Sequence, residues 1–447
     1  MNNNKFKHIL HLGCTILFVF LIFSCGSKKD RDTIIFNFPA EAPAGINYPD
    51  ARFAVISDLH LYDHVLGTSG TAFEKALNSD RKLLLEGIEL IDYAIEEIIA
   101  SGVSFVLVSG DLTKDGELAN HELAASKLKK LADAGIASYV ITGNHDINNP
   151  DAVSFYEDST ASVASVTSWD FEGIYGDYGY NNAIFRDDDS LSYIAEPIEG
   201  LWLLAIDTCR YREKIPGTHA ITSGKISQRT ADWIAVMLQT AMDHDKAVMA
   251  MMHHGVVEHW TGKKKLHPDY LIEGFEEFGK FLASYNVRLV FTGHYHAQDI
   301  TLGQFDNKFI YDIATGSLVT APCPIRYVEL NNSYLNVITE KIAGKTRLGP
   351  GLAEKGQDVI TRIVKSEARR TLKKFKASDK DADYIAEAVG EAFVAHYAGD
   401  EDESLRKPID KSKLGLWGRV IYGQFKYAID GLWKDLPPED NNARFWL

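Results

Sequence analysis

Seven side chains able to bind metal ions stand at the ends of five short apolar runs. Residues 52–57 lead into Asp58-Leu59-His60, residues 105–109 into Gly110-Asp111, and residues 139–142 into Gly143-Asn144-His145-Asp146. Residues 247–252 lead into His253-His254, and residues 287–292 into Gly293-His294-Tyr295-His296. The resulting set is Asp58, His60, Asp111, Asn144, His253, His294 and His296. It offers carboxylate, amide and imidazole donors without a thiolate, which suits Mn, Fe, Zn or Ni. Seven donors are enough for two ions, and a single buried histidine at one strand end would carry no such meaning.

These residues must be positioned by strands, because an apolar run stopped by polar residues at its carboxyl end is how open α/β sheets build sites. Between the runs lie amphipathic stretches. Residues 81–100 carry Leu84, Ile88, Ile91, Ile95 and Ile98 at helical spacing with Gly102 as a stop, and residues 122–134 carry Leu128 and Leu131 before Gly135. A further strand is expected at 201–205 and a further helix at 227–242. Such alternation predicts helices covering a largely parallel sheet. Residues 143–201 read as a loop-rich insertion with Trp169, Tyr175, Tyr178 and Tyr180, long enough to wall a substrate site. After the last donor, 309–313, 327–330 and 334–339 are expected to close a second sheet.

The blocks Asp-x-His, Gly-Asp, Gly-Asn-His-Asp, a paired His and Gly-His-x-His, in this order from Asp58 to His296, resemble the calcineurin-like metallophosphoesterases. The resemblance implies a four-layer α/β/β/α sandwich holding two divalent transition-metal ions. It gives Asp58, His60 and His296 to one ion, Asn144, His253 and His294 to the other, and Asp111 to both. It also implies hydrolysis of a phosphoester by a hydroxide bridging the ions. His145 is then the proton donor to the leaving group, with Asp146 as its orienting partner, and His254 packs or touches substrate. Gly255 departs from the proline that many relatives carry after the histidine pair.

A narrower resemblance rests on Ser109 to Thr113, Asp115-Gly116-Glu117, His121, and Ile147-Asn148-Asn149-Pro150 after the Gly143 block. It points to the bacterial cyclic-nucleotide phosphodiesterase-like branch, hence to a small phosphodiester substrate. Phosphomonoesterase or protein phosphatase action, hydrolysis of a glycerophosphodiester or nucleotide, and a non-enzymatic surface binding lipoprotein are the alternatives.

Residues 1–25 read as a signal peptide, with Lys5, Lys7 and His8 before an apolar stretch at 14–23. Its ending, Ile22-Phe23-Ser24-Cys25-Gly26, resembles a bacterial lipobox, so Cys25 is the expected acylation site and the protein an exported, membrane-anchored lipoprotein. Residues 26–49, with Pro39, Pro43 and Pro49, form a tether and linker. Residues 50–344 are the expected catalytic domain and 345–447 an all-helical C-terminal domain, with helices at 353–376, 382–398 and 414–434. That last part holds 19 Lys and Arg against 17 Asp and Glu, whereas the remainder holds 28 against 45. An acidic catalytic unit without a basic stripe excludes long nucleic acid as the expected ligand. Hydrophobic content of 45% excludes global disorder. Beyond the targeting segment only Cys209 and Cys323 remain, and both read as buried thiols rather than a disulfide.

Overall fold

The computed structural model describes residues 33–40, 45, 47–214 and 218–447. The signal segment with Cys25, and the tether as far as residue 32, lie outside the described residues. Among the described residues no helix is long and apolar enough to cross a membrane.

In chain order the strands begin with β1 (Ala51–Ile56), β2 (Phe105–Val108) and β3 (Ala137–Val140), joined through helices α1 (Thr71–Ser79), α2 (Gly87–Ser101) and α3 (Leu118–Asp133). A hairpin, β4 (Val153–Tyr156) and β5 (Ser159–Ser162), and α4 (Ser168–Ile174) follow. Next come β6 (Phe185–Arg186), β7 (Tyr193–Ile198), β8 (Leu201–Ile206), α5 (Gln228–Asp243) and β9 (Ala247–Met252). Then α6 (Lys263–Leu266), α7 (Phe275–Ser284), β10 (Leu289–Thr292), β11 (Asp299–Phe305), β12 (Lys308–Ala314), β13 (Pro324–Leu330) and β14 (Tyr334–Lys341). The chain ends with α8 (Gly351–Lys374), α9 (Asp379–Ala398), α10 (Leu416–Gly431) and β15 (Asn442–Trp446).

The strands form one sheet in the order β15-β14-β13-β1-β2-β3 and another in the order β11-β12-β10-β9-β8-β7-β6. Strands that feed the metal-competent residues pair in parallel within each sheet, β1 with β2 and β2 with β3, β9 with β10. Of these, β2, β9 and β10 are buried along their whole length, as parallel strands between two layers must be. The sheets meet through aromatic side chains: Phe53 stacks on Phe105 with centroids 4.7 Å apart and meets Phe291 of the facing sheet edge-on at 5.4 Å. Helix α2 buries Leu90, Ile91, Ala94, Ile95 and Ile98, the face its 3.6-residue spacing dictates, and stops at Gly102 in the left-handed region. It packs with α3 outside the first sheet, while α5 and α7 cover the second on β9 and on β11 and β12. The result is the expected four-layer α/β/β/α arrangement with a helical C-terminal region.

Three expectations change. The strands expected at 327–330 and 334–339 close the first sheet, as β13 and β14 beside β1, not the second. Alternating burial is the same on either sheet, so local pattern could not assign them. The insertion at 143–201 supplies β6 and β7 to the second sheet, and Tyr175, Tyr178 and Tyr180 lie in the core. Their burial is possible because Tyr178 donates to the Ala125 carbonyl at 2.9 Å and Tyr175 meets His121 Nδ1 at 2.9 Å. The third change concerns 345–447, which is helical up to α10 but ends in β15, paired antiparallel to β14. Buried Arg326 of β13 holds this ending in place, donating to the carbonyls of Asp440 at 2.5 Å and Ala314 at 2.6 Å. Cys209 and Cys323 are free thiols, as expected.

Candidate metal centre

All seven expected donors lie just past the carboxyl ends of β1, β2, β3, β9 and β10 and converge between the two sheets. Five of them depart from ordinary strand geometry, with positive φ at Asp58 (50°), His60 (36°), Asp111 (50°), His294 (72°) and His296 (66°). Non-glycine residues take this conformation at an energetic cost, and such strain gathers where surrounding structure aims a side chain. Glycine makes the close approach possible. A Cβ on Gly143 would stand 2.1 Å from both the amide nitrogen and Oδ1 of Asp111, and one on Gly293 2.1 Å from Ser57 Oγ.

Two clusters share the carboxylate of Asp111. In the first, Nε2 of His60 lies 3.0 Å from Nε2 of His296, and Asp58 Oδ1 lies 3.4 Å from the latter. In the second, Nε2 of His253 lies 3.3 Å from Asp111 Oδ2 and 3.2 Å from Asn144 Oδ1, and the His294 ring is 4.7 Å from that of His253. Asp58-His60-His296 and Asp111-His253-His294 each bring one donor atom per residue within the reach of a single ion.

Hydrogen bonds on the far side of the rings fix which nitrogen faces inward. A carbonyl only accepts, so Nδ1 of His253, 2.8 Å from the Ser109 carbonyl, carries the proton and Nε2 presents its lone pair. By the same rule Nε2 of His294 donates to the Asp269 carbonyl at 3.3 Å, leaving Nδ1 to point inward. Imidazole nitrogens gathered within a few ångströms of two buried carboxylates are the donor chemistry of divalent transition metals, so the donor set fits a metal pair. Burial, and then the Lys82 charge, hold His60 well below the ordinary histidine range. Burial and the neighbouring histidines do the same for His294. Burial also opposes charge on His253, but Asp111 outweighs it and carries the pKa to about 9.

His145 stands beside this pair, its ring edge-on to His60 with centroids 4.9 Å apart. Its Nδ1 bonds to Asp115 Oδ1 at 2.9 Å, and Asp115 is also paired with Lys114. Asp115, not Asp146, therefore orients His145. The expected role of Asp146 fails for a geometric reason: adjacent side chains diverge, and Asp146 turns back into the loop. It accepts from the Thr113 amide at 3.0 Å and the Gly143 amide at 2.8 Å, and burial raises its pKa to about 6. It braces the loop that presents Asn144 and His145. Lys214, missed from the sequence, braces the same loop by donating to the carbonyls of Asn144 and Ile147, both at 2.7 Å. A lone lysine in a long loop gave no local signal, and Asp115, though inside the Asp115-Gly116-Glu117 block, was not read as the partner of His145.

His254 does not reach a substrate. It is fully buried, with Nδ1 2.7 Å from Thr208 Oγ1 and Nε2 bonded to the Thr222 carbonyl at 2.8 Å, and burial lowers its pKa to about 3. Among the three other nearby histidines, His219 is at the surface while His259 and His267 are packed away from the centre.

A cavity of about 290 Å³ opens onto Asp111, Asn144, His145, His294 and His296. Its opposite wall is Asp80, Arg81, Lys82 and Tyr270, with Glu367 of α8 and Tyr397 of α9. The helical region thus lines the site, and the insertion at 143–201 contributes only Asn144 and His145.

No curated protein matches the chain. Among solved structures it is similar to a dimetal phosphatase from Danio rerio, with 15% identity and a TM-score of 0.45 over 65% of this chain and 96% of that one. It is also similar to a purple acid phosphatase from yellow lupin (Lupinus luteus) seeds, with 12% identity and a TM-score of 0.44 over 67% of this chain and 53% of that one. Residues 51–298, more than half of the chain, match the family of calcineurin-like phosphoesterases. Every block from Asp58 to His296 falls inside that match, and on it the chain belongs to the calcineurin-like phosphoesterase family.

Proposed function

We propose that the protein is a dimetal phosphodiesterase acting on a small diester, with cyclic nucleotides among the substrates its sequence resemblance points to. The observation that carries the reading is the convergence of seven donors from both sheets around Asp111, with His145 held beside them. Asp58, His60 and His296 would hold one ion, Asn144, His253 and His294 the other, and Asp111 both. Mn, Fe, Zn or Ni all fit the donors. Bound there, the ions would supply Lewis-acid activation of the phosphoryl group and a nucleophile drawn from water at neutral pH. Asn144 contributes a neutral oxygen, so the centre keeps positive charge for the anionic ester.

His145 handles the proton. Its Nδ1–H is committed to Asp115, which leaves Nε2 to give a proton to the departing oxygen. Although burial opposes a charged imidazole, Asp111 and the bond to Asp115 raise the His145 pKa, keeping that proton available.

The preference for a diester rests on charge. Arg81 bonds to Glu367 at 2.6 Å, and Lys82 stands 3.5 Å from Asp80. Each cation of the cavity wall thus has a carboxylate partner. A diester brings one negative charge for the metal pair to offset, and a monoester brings up to two. The test is a rate comparison with added Mn²⁺ between bis(p-nitrophenyl) phosphate, 3′,5′- and 2′,3′-cyclic nucleotides, and p-nitrophenyl phosphate. Diesters should turn over at least tenfold faster, by kcat/KM, than the monoester. A monoester that is the better substrate would make the protein a phosphomonoesterase of the same family.

A further inference from the structure

Beside the catalytic cavity lies a second, of about 260 Å³, between α8, α9 and α10 and the catalytic unit. Its character is different. Val364, Leu372, Ile385, Val389, Phe393 and Phe425 dominate its walls. The two cavities share Arg81 and Glu367. Arg81 is built for a boundary. Its guanidinium bonds to Glu367 at 2.6 Å and to Tyr397 Oη at 2.7 Å, while its Cζ lies 5.9 Å from the centroid of the Phe393 ring, inside the apolar space.

We infer that the helical region holds the apolar arm of the substrate. The substrate class is an amphiphilic phosphodiester whose phosphoryl group lies at the metal pair and whose hydrocarbon alcohol runs past Arg81 into the space between the helices. The inference rests on the phosphodiesterase reading and narrows it away from nucleotides. Three observations carry it. An apolar cavity that fills with hydrocarbon gains the transfer free energy of each buried methylene, which water cannot supply. A cavity that adjoins a polar one through a shared charged pair has the polarity gradient of a ligand with a charged head and an apolar tail. The lining is mostly aliphatic and phenyl, with Trp260, His267 and Thr371 as polar side chains beside the Arg81–Glu367 pair, so it suits hydrocarbon better than the hydrogen-bonding edge of a nucleobase.

The discriminating experiment separates the tail from the chemistry. Methyl-, butyl- and octylphosphonate, which cannot be hydrolysed, are titrated calorimetrically into the Mn²⁺-loaded protein below their aggregation concentrations. Affinity should rise by about threefold to fourfold per methylene until the cavity is full, the worth of a buried CH₂. Ala368→Phe on α8 fills the cavity from its wall, and Thr371→Trp does so from its exposed rim. Each folded variant should bind methyl- and octylphosphonate with nearly equal affinity. Equal affinities for all three ligands in the unmodified protein would overturn the inference, as would a slope that both variants keep. Turnover of alkyl p-nitrophenyl phosphates is measured in parallel. A rising phosphonate series with no diester hydrolysis leaves the tail cavity standing and removes the phosphodiesterase reading. Diester hydrolysis with a flat phosphonate series does the reverse.

Discussion

His145 and Asp115 form the unit whose chemistry is most open to dissection. Replacing His145 with Ala should slow a diester with an alkoxide leaving group by about 10²–10⁴-fold, the usual worth of a positioned acid. A nitrophenolate leaves without needing that proton, so its rate should fall much less, with metal content still near two. Equal losses with both leaving groups would mean that His145 only shapes the Asn144 loop. The family resemblance in the sequence implied the acid role for His145. Its partner was not legible, since Asp146 is adjacent in sequence whereas Asp115 reaches it only through the fold. Acidity at His253 leads to a second expectation. With its pKa raised to about 9 by Asp111, His253 carries a proton at neutral pH once a chelator has stripped the protein, and an ion must displace it. Metal affinity should therefore fall as pH drops below 9, by about tenfold per unit for one displaced proton. Calorimetric Zn²⁺ titrations at pH 6.5 and 8.5 test this, and a pH-independent affinity would show that no proton is displaced from His253.

Strands and the turns that follow them decide whether the donors meet. All five donor-bearing strands were legible to within a few residues, because each is a dense apolar run cut off by polar residues. Their assignment to two sheets was not, as β13 and β14 show. The turns depend on glycine where backbone and carboxylate touch. In Gly143→Ala the new Cβ would fall 2.1 Å from Asp111 Oδ1, so the Asp111 carboxylate or the Asn144 loop must move. Activity should drop by at least 10²-fold with loss of bound metal, because a misplacement of about 1 Å at a reacting centre has that effect. Full metal occupancy and near-normal rates, measured by elemental analysis and kinetics, would show that the turn yields cheaply.

For the molecule as a whole, the division at residue 345 blurs. β15 completes the first sheet, and Phe445 is buried with its ring 4.0 Å from Tyr311 of the second. Phe445→Ala should cost about 3–5 kcal/mol of unfolding free energy, the range for a buried phenylalanine, and urea denaturation should remain one transition. A loss below about 1 kcal/mol, well under that range, would make the terminal strand an accessory. No sequence pattern marked this strand, since Asn442 to Trp446 follows two prolines and a helical stretch and is short. The expected lipid anchor acts at the same scale. Cys25→Ser should move the mature protein from the membrane to the soluble fraction or leave its precursor uncleaved, and unchanged fractionation would count against acylation.

Each proposed ion takes donors from both sheets: Asp58 and His60 with His296, and Asn144 with His253 and His294. Bound there, the metals would be rivets through two plates as well as reagents. Any ion that binds the folded chain and not the unfolded one shifts the folding equilibrium, by about 2.7 kcal/mol at a hundredfold excess over its dissociation constant. A cell starved of such metals would hold not merely an idle hydrolase but a softer one, opening more often to proteases. Abundance of the protein, rather than its turnover number alone, would then record the metal supply.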